Sequence, residues 1–246
     1  MSAFQNLRAY RFVTLQDPDR WRAAIHARAS ALGLKGTVLL AHEGINLCLS
    51  GTRPALEDFV CWLRADPLFA DLAPRYGGSE LLSFRRLKVK CKAEIIRMDR
   101  PTIRPGAARA AAVAPATLAR WLAAGHDDAG RALLLLDTRN GFEVDAGRFT
   151  GAVDWRLARF GDFPAALAAN RAQLEGKTVV TYCTGGIRCE KAALLMHAAG
   201  IEALQLDGGI LGYFDAVGAA HFDGECFVFD ERETVAAQQL LPHPSA

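Results

Sequence analysis

The apolar positions in the first part of the chain alternate between period two and a helical period, which predicts a small module of strands and helices. The predicted elements are strand, helix, strand, strand, helix and strand, at residues 4–14, 18–32, 36–41, 45–49, 54–65 and 81–98. Asp17 before Pro18 is a typical helix start, and Gly33 is a typical helix end. The βαββαβ order predicts an N-terminal ferredoxin-like module over residues 1–98.

The spacing of apolar positions along the chain changes after residue 98. Residues 99–114 hold two prolines, a glycine and many small side chains, and they predict a linker. From there to residue 232, short apolar strands alternate with helices, which is typical of a doubly wound parallel sheet. The predicted elements are helix 115–124, strand 133–136, loop 139–151, helix 164–173, strand 178–182, helix 190–197 and strand 203–206, with a tail at residues 233–246.

Composition narrows the class of protein. The chain has 246 residues, 51% of them hydrophobic, which is enough for two domains with buried cores. Its six cysteines include no CxxC pair and no metal-ligand spacing, so a reducing compartment is expected. The N-terminus has no apolar signal-like run, and no segment has 18 uninterrupted apolar residues. A soluble cytoplasmic protein without a metal site is therefore expected, and its oligomeric state is left open.

The loop at residues 183–188 has the composition of a site that stabilises a negatively charged sulfur. A predicted buried strand ends at Cys183, Gly185 and Gly186 allow the chain to curl, and Arg188 closes the loop before a helix. The helix N-terminus, the backbone N–H groups and the guanidinium all favour a thiolate with a lowered pKa. The predicted catalytic residues are Cys183 and Arg188, and the predicted active-site loop is Thr184, Gly185, Gly186 and Ile187.

The length of this loop separates two chemistries. Four residues lie between Cys183 and Arg188, whereas cysteine phosphatases use five, which accommodate a tetrahedral phosphate. The shorter loop resembles that of rhodanese sulfurtransferases, which holds a cysteine persulfide. A buried structural cysteine is the alternative, but it would not require two glycines and an arginine around it. Cys189 is expected to pack in the first turn of the helix, with a resolving thiol as the alternative.

Other candidate residues lie at the carboxyl ends of predicted strands, where α/β sheets bind ligands. Asp137 and Arg139 follow one strand and predict an ion pair or turn cap, with substrate contact as the alternative. Glu143 could hold the loop below Cys183. Asp207 follows the last strand and is expected to cap the next helix. Possible site support therefore comprises Asp137, Arg139, Glu143 and Asp207.

One strand carries a basic stripe, which we define as Arg86, Lys88, Lys90 and Lys92. These side chains share one face of the strand because they recur with period two. Such a stripe would suit a phosphate backbone and predicts RNA binding. The alternative is a solvated edge strand that lysine keeps from aggregating.

Several motifs together resemble the rhodanese-domain tRNA uridine(34) hydroxylases. The resemblance covers both predicted domains, from about residue 36 to residue 233. A simple rhodanese would not carry the motifs EGIN and GECFVFD. The motifs that carry the resemblance are EGIN at residues 43–46, LDTRN at 136–140, EVD at 143–145, YCTGGIRCEK at 182–191, LDGGI at 206–210 and GECFVFD at 224–230.

The resemblance implies a function that the composition alone would not suggest. It implies oxygen-dependent hydroxylation of wobble uridine 34 to 5-hydroxyuridine, with the anticodon region of tRNA as partner and molecular oxygen as co-substrate. It also implies a small α/β module joined to a rhodanese domain whose catalytic cysteine corresponds to Cys183. No cofactor motif is evident. Family members often continue into a cysteine-containing tail, but this chain has no CxxC after Cys226.

Two other functions remain open. A plain sulfurtransferase would carry sulfane sulfur as a Cys183 persulfide, and a non-catalytic adaptor would only bind RNA. Within the hydroxylase hypothesis, Cys183 could add to C6 of the pyrimidine. Alternatively it could handle oxygen as a sulfenate or a persulfide.

Overall fold

A computed structural model describes residues 2–106 and 110–237, which form two compact units. The first unit reaches Arg97 and also includes Phe229–Arg232, and the second comprises Met98–Val228 and the residues from Glu233 onward. Residues 107–109 of the predicted linker and 238–246 of the predicted tail lie outside the described residues.

The first unit is a five-stranded sheet with two helices. Its strand order is β4-β1-β3-β2-β5, in which β5 runs parallel to β2 and the other neighbours are antiparallel. The first six elements follow the βαββαβ order, so the predicted ferredoxin-like module is confirmed. The elements are β1 (Phe4–Phe12), α1 (Pro18–Ala31), β2 (Lys35–Ala41), β3 (Gly44–Gly51), α2 (Arg53–Arg64), β4 (Arg75–Ser79) and β5 (Leu87–Cys91).

The predicted strand over residues 81–98 is wrong in its bounds. The chain forms β4 before this range and only the short β5 within it. Strand β4 has the sequence RYGGS, in which two glycines weaken any period-two pattern. It forms because the edge of β1 offers backbone partners, from Phe4 opposite Ser79 to Arg8 opposite Arg75. This strand therefore forms because of its pairing with β1, which cannot be predicted from the local sequence.

The apolar core of the first unit lies between the sheet and its helices. Leu7 of β1, Val38 of β2 and Leu47 of β3 are buried there together with Ile25 of α1 and Phe59 of α2. Alternate residues on each strand point to the other side of the sheet. That second face carries polar side chains, and part of it receives the segment Phe229–Arg232.

The segment Phe229–Arg232 is held by a buried carboxylate. Asp230 accepts hydrogen bonds from Arg8 at 2.8 Å and from Arg232 at 2.7 Å. The backbone N–H of Glu231 donates to the carbonyl oxygen of Ser83 at 3.1 Å. Burial raises the pKa of Asp230, but the hydrogen bonds and charges of Arg232 and Arg8 outweigh it and lower the pKa below its ordinary value.

The second unit is built on a parallel sheet with the order β6-β11-β10-β7-β9. From β7 the chain adds β9 on one side, and from β10 it adds β11 on the other, so the order reverses between β7 and β10. The predicted doubly wound parallel sheet is thereby confirmed. The elements are β6 (Ala112–Val113), α3 (Pro115–Ala124), β7 (Leu133–Asp137), α4 (Gly141–Ala146), β8 (Gly147–Phe149), β9 (Val153–Asp154), α5 (Phe163–Asn170), β10 (Thr178–Tyr182), α6 (Ile187–Ala198), β11 (Ala203–Leu206), α7 (Gly209–Val217), β12 (Phe222–Gly224), β13 (Cys226–Phe227) and β14 (Thr234–Val235).

The loop predicted at residues 139–151 is instead a short helix, α4, followed by β8. The helix has only six residues, too few for a helical period to show in the sequence. It starts at Asn140, whose N–H donates to the carboxylate of Glu143 at 3.1 Å and whose carbonyl oxygen accepts from the N–H of Glu143 at 2.9 Å. Sequence analysis missed this pair because the glycines at both ends suggested a loop.

We predict that Asp230→Asn lowers the free energy of unfolding by about 2 kcal/mol at pH 7, because the variant loses the buried carboxylate that pairs with Arg8 and Arg232. The folded pKa of Asp230 lies below its ordinary value of 3.8. Its contribution is therefore complete above that value and is lost as the pH falls through the folded pKa. Urea unfolding at several pH values should show the gap between variant and wild type closing below about pH 4.

Asp71→Asn is the matched control, because Asp71 also pairs with an arginine, Arg11, at 3.1 Å. The Asp71 side chain is 82% exposed, whereas that of Asp230 is 0% exposed. Solvent-exposed pairs contribute about 0.5 kcal/mol or less. Equal losses in the two variants would contradict the role of the buried carboxylate.

Candidate active site

The site lies where the parallel sheet reverses its order, at the carboxyl ends of β7 and β10. Asp137 at the end of β7 is paired with Tyr182 at the end of β10. Thr138 joins the two strand ends, since its N–H and its hydroxyl both donate to the carbonyl oxygen of Tyr182 at 2.9 Å. Cys183 follows directly, so its loop starts from a fixed point on the sheet.

The loop wraps its backbone around the sulfur of Cys183. Gly186 adopts a left-handed conformation with φ 102°, and its N–H donates to Cys183 Sγ at 3.1 Å. Cys189 lies in the first turn of α6, and its sulfur is 3.9 Å from that of Cys183. Cys183 has an exposed fraction of 0%. Of the predicted loop residues, Gly186 donates directly to the sulfur, and Thr184, Gly185 and Ile187 are its neighbours in the same loop.

This surrounding makes Cys183 acidic. Burial raises the pKa of its thiol, but three effects together outweigh burial: the hydrogen bond with Cys189, the charge of Arg188, and the backbone N–H groups of both residues. They lower the pKa to about 5. The pKa of Cys189 moves the opposite way, raised by burial and then by the neighbouring Cys183. At neutral pH, the lowered pKa favours the thiolate at Cys183 and the raised pKa favours the thiol at Cys189, whose sulfur donates to the carbonyl oxygen of Gly186 at 2.9 Å.

Arg188 is buried and is held by Glu143. Its two terminal nitrogens donate to the two carboxylate oxygens of Glu143 at 2.5 and 2.7 Å, and it also approaches Thr184 Oγ1 at 3.4 Å. Burial lowers the pKa of Arg188, but the charge and hydrogen bonds of Glu143 outweigh burial, so the pKa lies above its ordinary value. Glu143 is fixed in turn by the N–H of Asn140, at 3.1 Å. The structure thus brings Glu143 to the loop, as the sequence suggested, through Arg188.

Asp137 and Arg139 form an ion pair within the fold. Arg139 Nη2 donates to Asp137 Oδ2 at 2.6 Å and to the carbonyl oxygen of Gly147 at 2.7 Å. Neither side chain has any exposed surface. The structure therefore favours the ion pair over the alternative of substrate contact, because a substrate cannot touch them in this state.

The start of α7 supports the loop from the other side. Gly209 has φ 62°, and a side-chain Cβ there would lie 2.4 Å from the carbonyl oxygen of Cys183. That carbonyl accepts from the N–H of Ile210 at 2.9 Å, and the carbonyl of Thr184 accepts from Leu211 at 3.1 Å. The close packing of α7 against the loop therefore requires glycine at position 209.

Asp207 does not cap α7, and that prediction is wrong. The residue before the helix is Gly208, in a left-handed conformation and without a side-chain cap. Asp207 therefore stands one position too early, is exposed, and uses its backbone N–H to bind the carbonyl oxygen of Val113 at 3.0 Å. Nothing in the structure brings its carboxylate to the sulfur.

The basic stripe belongs to the first unit, whereas Cys183 belongs to the second. Lys88 and Lys90 are exposed on β5, while Leu87 and Val89 pack against the core. Arg86 and Lys92 are exposed just beyond the ends of the strand. Strand β5 is at the edge of its sheet, so both alternatives, RNA binding and a solvated edge, fit its position.

No group of three or more histidine, cysteine, aspartate or glutamate side chains placed to hold a metal ion occurs within residues 2–106 and 110–237. Over the same ranges, none of the helices has the length and apolar content needed to span a membrane.

Arg188→Ala and Glu143→Gln should shift the pKa of Cys183 in opposite directions. Losing the guanidinium charge raises this pKa toward its ordinary value of 9.0, whereas losing the carboxylate removes a negative charge that partly neutralises the guanidinium, which lowers this pKa further. The ultraviolet absorbance of the thiolate, followed against pH, measures both shifts, with Cys183→Ser as the blank. Shifts in the same direction would mean that general damage to the loop, not charge, sets the pKa.

Comparison with known proteins agrees with this organisation. Residues 4–95 match the family described as "UPF0176 acylphosphatase like domain", and residues 118–216 match the "Rhodanese-like domain". A tRNA uridine(34) hydroxylase of Bordetella petrii is 60% identical, covering 94% of this chain and 92% of its own. Proteins of the same name from Bordetella pertussis and Delftia acidovorans are 58% and 56% identical, covering 96% and 98% of this chain and 98% and 92% of their own. The chain therefore belongs to the family of the tRNA uridine(34) hydroxylases.

Proposed function

We propose that this protein hydroxylates wobble uridine 34 of tRNA at C5, giving 5-hydroxyuridine, with Cys183 as the reacting residue and dioxygen as co-substrate. The uridine and its position follow the name that the relatives carry. The product, the oxygen source and the anticodon region as the bound part of tRNA are our inference. The six free cysteines suit a reducing compartment, and we place the protein in the cytoplasm.

The observation that carries this proposal is the stabilised anion at Cys183. Cys48 of the same chain, a half-buried cysteine without such a loop, shows the opposite shift: burial and the charge of Asp230 raise its pKa, and the charges of Arg8 and Arg232 do not reverse this rise. At Cys183 the backbone N–H groups and Cys189 instead lower the pKa of the thiol. A thiolate held at neutral pH in a buried position is a reactive group, because structural cysteines remain protonated and inert.

The burial of Cys183 favours one of the two chemical routes. With an exposed fraction of 0%, the sulfur cannot touch C6 of a pyrimidine unless the loop moves. This supports the route through an oxidised sulfur over direct addition of the thiolate to the base.

A sulfurtransferase is the second candidate, because the same loop suits a persulfide at Cys183. The match to the rhodanese-like domain over residues 118–216 favours it. A non-catalytic adaptor is less compatible with the structure, because RNA binding alone would not require a buried Glu143–Arg188 pair beside a thiolate. Burying two charges costs free energy, which a purely structural loop would avoid with apolar residues.

For the tRNA contact we propose the basic stripe of the first unit. Alternation along β5 turns Lys88 and Lys90 away from the core, beside Thr37 and Leu39 of β2. Exposed ammonium groups repeated along one strand can each neutralise a backbone phosphate. Contacts of this kind bind tRNA without reading its sequence, so they leave the choice of uridine to the site around Cys183.

Cells that lack the gene should lose 5-hydroxyuridine and its derivatives from tRNA, and the wild-type gene should restore them. Cys183→Ala should restore nothing, because the reacting sulfur is gone, and nucleoside analysis by mass spectrometry measures both results. Cys61→Ala serves as the control, since Cys61 is an exposed cysteine of α2 in the first unit. Unchanged tRNA together with a loss of thiosulfate-to-cyanide activity would select the sulfurtransferase instead.

Lys88→Glu combined with Lys90→Glu should weaken tRNA binding and make its affinity less dependent on salt. Each lost phosphate contact reduces the slope of log affinity against log salt by about 0.9. The matched control reverses Arg20 and Arg22 on α1, which are also exposed but lie on a helix of the same unit. If both double variants bind like the wild type, the stripe serves only as a solvated edge strand.

A further inference from the structure

We propose that Cys183 and Cys189 act as a dithiol that supplies the two electrons required to hydroxylate uridine with dioxygen. The inference rests on the proposed function and extends it, because it assigns a redox role to Cys189 and identifies the internal reductant. The sequence predicted that Cys189 packs in the first turn of the helix, with a resolving thiol as the alternative. The contacts of its sulfur favour that alternative.

The need for electrons follows from the stoichiometry. Replacing C5–H by C5–OH takes two electrons from uridine, but dioxygen accepts four when both of its atoms reach the oxidation level of water. Two further electrons must therefore come from a reductant. Two thiols that become one disulfide release two electrons and two protons, which is the amount required.

The geometry places a second sulfur beside the first. Cys189 Sγ is 3.9 Å from Cys183 Sγ, and both residues have an exposed fraction of 0%. A disulfide needs the two sulfurs at about 2.05 Å, so a movement of about 2 Å, within reach of side-chain rotation, would join them. Cys189 Sγ is also directed by a hydrogen bond to the carbonyl oxygen of Gly186 at 2.9 Å.

The two sulfurs are prepared for different steps. Cys183 is the thiolate, which is the form that oxygen attacks, and its charge is held by the N–H of Gly186 at 3.1 Å. Cys189 remains a thiol because burial and the neighbouring anion raise its pKa. It therefore keeps the proton that the last step consumes. A cysteine that only filled space in the helix would not need to place its sulfur 3.9 Å from that of Cys183.

The reaction balances in two steps. In the first, Cys183–S⁻, dioxygen and uridine C5–H give Cys183–SO⁻ and uridine C5–OH, because the O–O bond breaks and one atom goes to each partner. In the second, a proton from solvent gives the sulfenic acid, and the sulfur of Cys189 attacks it. The S–S bond forms, the S–O bond breaks, and the released oxygen leaves as water with the proton of Cys189. An external thiol then reduces the disulfide for the next cycle.

The test is a single turnover without added reductant. Full-length protein, reduced and freed of reductant under anaerobic conditions, is mixed with tRNA and then with dioxygen. The mixture is stopped with acid and an alkylating reagent, and both the nucleosides and the peptides are analysed by mass spectrometry. We expect one 5-hydroxyuridine and one Cys183–Cys189 disulfide per protein, and repeated turnover only when a dithiol reductant is added.

Cys189→Ser separates the redox role from a packing role, because serine keeps the size and a hydrogen-bond donor but cannot form a disulfide. In this variant the sulfenic acid of Cys183 should persist and be captured by a sulfenic-acid trap, with no more than one 5-hydroxyuridine per protein. Cys61→Ser should behave like the wild type, since Cys61 is exposed on α2 of the other unit.

Each outcome has a defined meaning. Hydroxylated uridine with both thiols still free overturns the inference and leaves the proposed function intact. A disulfide that forms equally fast without tRNA also overturns it, because oxidation would then be uncoupled from the reaction. Absence of 5-hydroxyuridine even with reductant present overturns the proposed function itself and the inference with it.

Discussion

The constraint on which the site depends is that a buried anion needs fixed partners that do not have to be recruited. The thiolate of Cys183 adds a negative charge to a region where Glu143 already neutralises Arg188. The guanidinium therefore cannot serve the sulfur alone, and the N–H of Gly186 together with the thiol of Cys189 completes the environment. These groups are held by the backbone of the loop and helix, so the free-energy cost of arranging them is met during folding.

The parallel sheet explains why these groups meet in one place. At a reversal of strand order, the loops that follow two neighbouring strands diverge and leave a crevice at their carboxyl ends. One loop carries Cys183 after β10, and the other leads from β7 into the short helix that carries Glu143. The Glu143–Arg188 pair spans this crevice and joins the two loops. The chemistry of the sulfur is thus coupled to a helix that is distant from it in sequence.

Sequence analysis was most successful where local chemistry decides the structure. The glycines and arginine around Cys183 specify a curled loop, and Asp17 with Pro18 specifies the start of α1, where its carboxylate accepts from the N–H of Arg20 at 2.9 Å. Sequence analysis was wrong where the local structure depends on contacts that the local sequence does not show. Strand β4 exists because β1 offers an edge, and helix α4 has only six residues, too few to show a helical period. The sequence indicated only weakly that Cys189 lies close to Cys183: the two residues are six positions apart, and a tight turn between them can bring their side chains together.

The segment Phe229–Arg232 makes the first unit discontinuous in sequence, because it comes more than a hundred residues after the rest of that unit. Asp230 pairs with Arg8 at 2.8 Å, so a fragment ending at residue 98 would lose this ion pair from the face of its sheet. The two halves of this protein cannot be dissected by one cut. Any attempt to express the N-terminal module alone would need this downstream peptide supplied in trans or grafted onto its end.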